Sequence, residues 1–193
     1  EGWSPIQGEF WRGGPIAPGF KHDEVLPRFT AESVKYLKGR KGKAQPFFLY
    51  VALPAPHTPW LPTEKFQKCT NNLYGDFVAM VDDTVGQILA ALDETKLAKN
   101  TLVIFTADNG PWLSYGDHAG SAGPLREGKG TMFDGGCRES TLMWWPGTVP
   151  AGSVCKTPAM TIDILPTVAE LLGAKLPKHK IDGKSIMNLI KGT

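Results

Sequence analysis

The apolar positions of this 193-residue chain follow two periods, and each change of period marks an element. The longest helical period covers 74–94, where apolar side chains recur at steps of three and four and form one stripe. The stripe consists of Phe77, Met80, Val81, Val85, Ile88, Leu89 and Leu92. Further apolar faces predict helices over 23–38, with Thr30 as a candidate cap, and over 162–172, with Pro166 in the first turn, where proline is tolerated.

Three short apolar runs predict strands over 46–53, 102–106 and 141–145, the first two of them buried. Strands that alternate with helices indicate an α/β fold with a βαβ arrangement. A chain of this length can build one domain around one core. No apolar stretch approaches the roughly 20 residues that cross a bilayer, so we expect no membrane span. The net charge of +2 gives no reason to expect a nucleic-acid partner.

Polar residues follow the second predicted strand directly. Its apolar run ends in Asp108, Asn109 and Gly110. Open α/β sheets bind ligands beyond the carboxyl ends of their strands, and a carboxylate beside an amide carbonyl offers hard oxygen ligands for Ca²⁺ or Mg²⁺. Taken alone, these residues favour an ordinary Asp-Asn-Gly turn, because such turns are common.

Two further motifs carry candidate chemistry. His57 lies in A-P-H-T-P-W, just after the first predicted strand, and Lys129 lies in G-K-G-T-M-F-D-G-G-C-R-E. The second motif belongs to a glycine-rich loop predicted over 110–136, and loops of that length in compact domains are usually functional. A lone histidine or lysine in a loop is more often bound to backbone or solvated. Neither residue therefore indicates a function by itself, and only the combination of motifs does.

These motifs, in this order, resemble the sulfatase family, the formylglycine-dependent sulfuric ester hydrolases. The resemblance implies an α/β fold that is part of the alkaline-phosphatase-like mixed sheet flanked by helices. It implies that Asp108 and Asn109 bind a metal, with the asparagine favouring Ca²⁺ and Mg²⁺ as the alternative. It implies that Lys129 bridges sulfate and nucleophile, and that His57 binds sulfate or protonates the leaving oxygen.

Part of the sulfatase pattern is missing from these residues. The family nucleophile is a cysteine in C-x-P-x-R or C-x-A-x-R that is oxidised to formylglycine, and Cys69, Cys137 and Cys155 do not begin such a motif. We expect the formylglycine and a pair of metal-binding aspartates upstream of Glu1. Residues 1–193 are then a partial catalytic domain, its middle and later part, which lacks the N-terminal nucleophile segment and the C-terminal subdomain. We expect this chain alone to hydrolyse neither aryl sulfate nor aryl phosphate.

The remaining candidates carry weaker predictions. Asp117 and His118 are candidates for contact with the non-sulfate part of a substrate, and Arg126 for a carboxylate or the substrate, although the resemblance gives none of them a role. Arg138 and Glu139 follow the loop, and we expect them to support it. The cysteines are predicted to be buried free thiols, with Cys137 in the core, and a Cys137–Cys155 bridge stays open as an alternative.

Three functions stay open. The first is hydrolysis of an aryl or carbohydrate sulfate ester, with a sulfated small molecule or a sulfated glycan as partner. The second is a related phosphoryl-transfer hydrolase, which typically shows an Asp-His pair and two zinc ions, and the Asp108–Asn109 pair argues against it. The third is a non-catalytic or degenerate sulfatase-like domain. The family implies a periplasmic, secreted or lysosome-like location, although no signal peptide is visible.

Overall fold

The computed structural model describes residues 14–118 and 120–192, and the side chains at positions 117 and 118 lie outside what it describes. The chain divides into two compact units. The first unit contains the described residues up to 97 together with 106–140, and the second contains 98–105 and the described residues from 141 onward. All three sequence motifs fall within the first unit.

Two long helices that match the predicted apolar stripes form the frame of the first unit. Helix α1, Val25–Gly39, follows a 3-10 turn at His22–Glu24, and helix α2 covers Leu73–Glu94. The buried hydroxyls of Thr30 and Thr84 lie 2.8 Å apart across the interface of these helices. Thr30 therefore lies inside α1 and is not its cap, which corrects the prediction. A short helix α3, Asp134–Cys137, ends the glycine-rich loop.

A turn with four prolines, residues 54–62, follows the apolar run 46–53, and we call it the proline-rich turn. The hydrophobic core of the first unit lies between this turn and the two long helices. Its buried members are Leu26, Ala55, Trp60, Phe77, Met80 and Val81. Three of these come from the α2 stripe, which confirms that the stripe faces inward. Because the turn around Trp60 packs on the same core, the segment that carries His57 has a fixed support.

Residues 46–53 do not form the predicted buried strand. They run as extended chain, and half-buried residues alternate with exposed ones. Phe48 and Tyr50 are 68% and 80% exposed. The period of two is kept, but a strand also needs a hydrogen-bonded neighbour, and no strand in the described ranges pairs with this segment.

The second unit contains an antiparallel strand pair and two helices. Strands β1, Val103–Phe105, and β2, Leu142–Trp144, pair with Val103 opposite Trp144. Both strands form where they were predicted, but β1 is not buried as expected, because Phe105 is 41% exposed. The predicted βαβ unit does not form, because its first strand, 46–53, is not a strand in the described part of the chain. The fold remains α/β, as predicted. No helix in the described ranges is long and apolar enough to cross a membrane.

Helices α4, Ile164–Leu172, and α5, Met187–Lys191, complete the second unit. Helix α4 agrees with its prediction, with Pro166 in the first turn, and it ends at Gly173, whose φ of 62° is the left-handed conformation that favours glycine. Asp163, just before α4, accepts hydrogen bonds from the backbone of Lys184 and Met160, both at 2.8 Å. These bonds lower the pKa of Asp163 and fix the chain before α5.

Candidate functional site

His57 lies exposed in the proline-rich turn. Its backbone N–H donates to the Pro54 carbonyl at 3.2 Å, and its ring Nδ1 lies 2.9 Å from the carbonyl oxygen of Thr58. A carbonyl only accepts, so Nδ1 carries a proton here and Nε2 is the nitrogen whose protonation can change. The buried Thr58 places its hydroxyl 3.5 Å from the Tyr115 hydroxyl, which joins the turn to the glycine-rich loop.

Asp108 and Asn109 lie where the chain enters the glycine-rich loop. Asp108 is exposed and Asn109 is half-buried. The Asn109 amide nitrogen donates to the Gly110 carbonyl at 3.0 Å. That bond orients the amide and leaves its oxygen as a ligand atom.

Glu139 is a second acid beside Asp108. Its Oε1 is buried and has no hydrogen-bond partner within the described part of the chain. Burial raises the pKa of Glu139, and the Asp108 carboxylate raises it further. Each of the two acids makes the negative charge of the other less favourable, and a cation near both would relieve that repulsion. Glu139 was predicted only as a support for the loop, and no sequence signal marked its unpaired oxygen.

Four glycines bring the two ends of the loop into backbone contact, and we call them the glycine junction: Gly110, Gly128, Gly135 and Gly136. A Cβ at Gly110 would overlap the carbonyl oxygen of Gly135, and a Cβ at Gly135 would overlap the carbonyl oxygen of Glu127. Only glycine allows backbones to approach this closely. The junction includes hydrogen bonds from Gly110 N to Gly136 O (3.2 Å) and from Gly135 N to Arg126 O (2.8 Å).

Lys129 is attached to this junction. Its backbone N–H donates to the Pro111 carbonyl at 2.9 Å, so the lysine lies beside the turn that begins with Asp108. Its Nζ lies 5.9 Å from the centre of the Trp112 ring. No carboxylate in the described ranges forms an ion pair with Lys129. Among the described side chains, therefore, no acid neutralises the charge of Lys129.

Of the three weaker candidates, Arg126, Asp117 and His118, the structure describes only the side chain of Arg126. The Arg126 guanidinium lies 3.7 Å from the centre of the Phe133 ring, a stacking contact inside the loop. Residues 113–118 form a 3-10 segment with a kink at Gly116, but the side chains of Asp117 and His118 lie outside the described residues. All three candidates remain predictions.

The cysteine predictions are wrong in one respect. All three thiols are free, and all three are exposed instead of buried. In α3 the buried positions belong to Gly135 and Gly136, which leaves the following residue, Cys137, at the surface. Its Sγ lies 3.5 Å from the Thr131 carbonyl, so Cys137 is not a core residue.

Asp76 was not predicted from the sequence. It is a buried carboxylate in the first turn of α2 and is 3% exposed. It accepts hydrogen bonds from the backbone N–H groups of Lys68 and Thr70, both at 2.7 Å, and from the Thr70 hydroxyl at 2.8 Å. The Cys69 thiol lies at 3.4 Å. Burial raises the pKa of Asp76, but the hydrogen bonds outweigh it and the net pKa is lowered. All of these partners belong to the chain, so Asp76 is structural.

The donors around Asp108 fit a hard divalent cation in part. The Asp108 carboxylate, the Asn109 amide oxygen and the unpaired Glu139 oxygen are ligand types that Ca²⁺ and Mg²⁺ prefer. Among the described side chains, no group of three or more His, Cys, Asp or Glu is arranged to hold a metal. These donors therefore form an incomplete set, which other ligands must fill.

Comparison with known proteins gives one consistent answer. Residues 5–174 match the family described as Sulfatase. The chain is 36% identical to N-acetylgalactosamine-6-sulfatase of Mus musculus, an alignment that covers 98% of this chain and 37% of that protein. It is 38% identical to arylsulfatase A of Homo sapiens, over 93% of this chain and 34% of that protein. The chain thus spans little more than a third of the length of these relatives.

Solved structures agree with the sequence matches. Ps i-CgsB, crystallised with k-i-k-neocarrahexaose, has a TM-score of 0.78 at 35% identity, over 86% of this chain and 38% of that one. The PsFucS1 sulfatase from Pseudoalteromonas sp. has a TM-score of 0.79 at 27% identity, over 92% of this chain and 37% of that one. Sequence and structure therefore point the same way: this chain belongs to the sulfatase family.

Proposed function

We propose that the protein containing this chain hydrolyses a sulfate ester of a carbohydrate and releases inorganic sulfate. The observation that carries the proposal is the glycine junction, which attaches Lys129 to the turn that begins with Asp108 and Asn109. Neighbouring segments of backbone thereby hold hard oxygen donors and a cation that has no ion-pair partner among the described side chains. The relatives support a sugar substrate, because one is named for N-acetylgalactosamine 6-sulfate and another was crystallised with a neocarrahexaose.

The chemistry follows from what a sulfate monoester needs for cleavage. The ester carries negative charge on its sulfate oxygens, and the leaving oxygen gains negative charge as its bond to sulfur breaks. The Lys129 ammonium, a compact charge with three donors, binds a sulfate oxygen. His57, protonated at Nε2, donates that proton to the leaving oxygen, a role that suits histidine near neutral pH.

We propose that Asp108 and Asn109 bind Ca²⁺, with Mg²⁺ as the alternative, and that Glu139 contributes negative charge beside them. When bound, such an ion acts as a Lewis acid and template for sulfate. Sulfatases typically also use a formylglycine, but no cysteine here lies in the required motif, so no residue of this chain is assigned as nucleophile. Asp117, His118 and Arg126 are kept as candidate contacts to the sugar.

We also propose that residues 1–193 are the middle and later part of the catalytic domain. The family resemblance supports a periplasmic, secreted or lysosome-like location for the whole protein. Alone, the chain is expected to be inactive on aryl sulfate and aryl phosphate.

The test is release of inorganic sulfate by the protein expressed from its complete coding sequence. Substrates are N-acetylgalactosamine 6-sulfate, a carrageenan oligosaccharide and 4-nitrophenyl sulfate, with 4-nitrophenyl phosphate in parallel. Variants are Lys129→Ala and His57→Ala. Lys65→Ala is the matched control, because Lys65 pairs with Asp83 and lies over the Phe66 ring, away from the motifs that carry the proposal. We expect sulfate release from a sugar, lowered at least 100-fold by Lys129→Ala and unchanged in the control.

Other outcomes would overturn the proposal in distinct ways. Phosphate release without sulfate release would make the protein a phosphoryl-transfer hydrolase. Turnover of 4-nitrophenyl sulfate alone would contradict the carbohydrate substrate. No turnover of any ester by a folded, complete protein would favour the non-catalytic domain.

A further inference from the structure

Trp112 contacts Lys129, and this chain carries it two residues after the Asp108–Asn109–Gly110 turn. The Lys129 Nζ lies 5.9 Å from the centre of the Trp112 ring, within the range in which a cation and an aromatic face attract each other. The lysine backbone is held separately, by the hydrogen bond from its N–H to the Pro111 carbonyl. Both ends of the lysine therefore contact one dipeptide, residues 111–112.

Trp112 is itself held by the core of the first unit. Its ring packs edge-to-face on Tyr115, with centroids 4.8 Å apart. Tyr115 packs in turn on Trp60, with centroids 5.3 Å apart, and Trp60 is only 2% exposed. The Tyr115 N–H also donates to the Trp112 carbonyl at 3.1 Å. A continuous aromatic row thus connects the buried core to the Lys129 ammonium.

We propose that Trp112 is a positioning residue for Lys129, which holds the ammonium in place for a sulfate oxygen without neutralising its charge. The proposal rests on the sulfate-binding role proposed for Lys129. A carboxylate partner would also hold the lysine, but it would compete with an incoming anion. The indole attracts the cation through its ring quadrupole and carries no net charge. The contact also limits the rotamers of the Lys129 side chain before a ligand binds, so less rotamer freedom is lost on binding.

The direct test is the affinity of the complete protein for inorganic sulfate, measured by isothermal titration calorimetry at constant ionic strength. Sodium sulfate is the probe, and sodium chloride keeps the ionic strength fixed. We expect Trp112→Leu to weaken sulfate binding about fivefold and Trp112→Phe about twofold, because the phenyl face attracts a cation less than indole does. Trp144→Leu is the matched control, since Trp144 is a partly exposed tryptophan in β2, and it should leave sulfate affinity unchanged.

A kinetic measurement separates positioning from a general loss of structure. With a substrate that the complete protein turns over, Trp112→Leu should raise KM for the sulfate ester while kcat stays the same. A disturbed fold would change both. Equal sulfate affinity in the wild type and Trp112→Leu, or tighter binding in the variant, would overturn the proposal. If Trp112→Leu does not fold, Trp112→Phe decides, and an unchanged affinity in that variant contradicts the role.

Lys129→Ala distinguishes the failure of this inference from failure of the proposed function. If Lys129→Ala weakens sulfate binding and the Trp112 variants do not, only the positioning role is wrong. If Lys129→Ala leaves sulfate binding unchanged, the proposed sulfate site itself is wrong.

Discussion

Two acidic side chains of the first unit, Asp76 and Glu139, differ in how the chain satisfies them. Asp76 accepts hydrogen bonds from two backbone N–H groups and from a threonine hydroxyl, and its pKa is lowered. Glu139 has a buried oxygen without a partner among the described residues, and its pKa is raised by burial and by Asp108. The first acid is satisfied as an anion by its own fold, and the second is not.

The contrast separates structural acids from acids that await a ligand. Burial alone does not mark a functional carboxylate, because Asp76 is among the most buried polar residues of the chain. The informative property is a buried oxygen that no group of the fold satisfies. By that criterion we propose that a cation would stabilise the region around Asp108 and Glu139 and would not stabilise the turn before α2.

The largest expected effect is on stability at Asp76. Asp76→Asn should lower the free energy of unfolding by about 3 kcal/mol, because charged hydrogen bonds are lost and an amide NH₂ faces donors. Chemical denaturation at pH 7 measures the loss, with Asp82→Asn, an exposed neighbour, as a control within about 0.5 kcal/mol. A similar loss in both variants would contradict the structural role.

The pH dependence of the same residue gives a second measure. The folded pKa of Asp76 is lowered, so its contribution is complete above the unfolded value of about 4 and is lost as pH falls through the folded value. The difference in free energy of unfolding between the wild type and Asp76→Asn should therefore shrink below about pH 4. A difference that stays constant down to pH 2 would show that the charge of Asp76 is not what stabilises the turn.

The glycine junction should be the next most sensitive position. Gly135→Ala would place a Cβ against the carbonyl oxygens of Glu127 and Arg126 and should cost about 2 kcal/mol. Gly86→Ala is the control, because Gly86 lies inside α2 with open space around it, and it should stabilise by up to about 1 kcal/mol. Thermal unfolding of both variants checks the pair, and equal effects would mean that the close backbone contacts are not formed.

Glu139 should behave in the opposite way to Asp76. Glu139→Gln should raise stability in the absence of divalent cations by up to about 1 kcal/mol, because a buried acid beside Asp108 is removed. Since the folded pKa of Glu139 is raised, wild-type stability should fall as pH rises from the unfolded value toward the folded one, and the variant should lack that fall. A loss of stability in Glu139→Gln at pH 7 would show that the oxygen has a partner after all.

The smallest effect is expected at the exposed ion pair of Lys65 and Asp83. Their charged groups lie 2.7 Å apart with the lysine side chain 68% exposed, and such pairs contribute about 0.5 kcal/mol. Lys65→Ala should therefore barely change unfolding by urea. If Lys65→Ala lowered the free energy of unfolding by more than about 2 kcal/mol, a short distance between the charges would be enough for a strong ion pair, and burial would not be required.

The sequence predicted what is local and missed what depends on distant segments. The α2 stripe repeats over many residues, so its helix was predicted almost to the residue. The extended run 46–53 has the right residues for a strand, but pairing requires a partner that the described residues do not supply. Cys137 was predicted to lie in the core, whereas glycines take the buried positions of α3.

The candidate site shows the same difference between local features, which the sequence predicted, and features that depend on distant segments. Asp108, Asn109, His57 and Lys129 were selected from motifs, and those motifs share one unit of the fold. The unpaired oxygen of Glu139 and the hydrogen bonds of Asp76 were not visible, since each depends on where a loop returns. Asn72 is the N-cap of α2, and Asp76 follows it in the first turn of the helix. Acids in a first helical turn often bind nearby N–H groups. This pair was therefore the sequence signal that could have identified Asp76.

The calcium affinity of the complete protein decides whether Asp108 belongs to a cation site. Isothermal titration calorimetry would compare the wild type with Asp108→Asn, and Asp82→Asn would serve as an acid of the same type placed on an exposed helix face. We expect Asp108→Asn to weaken Ca²⁺ binding at least tenfold and Asp82→Asn to leave it unchanged. Equal calcium affinity in the wild type and Asp108→Asn would contradict a cation site at this turn.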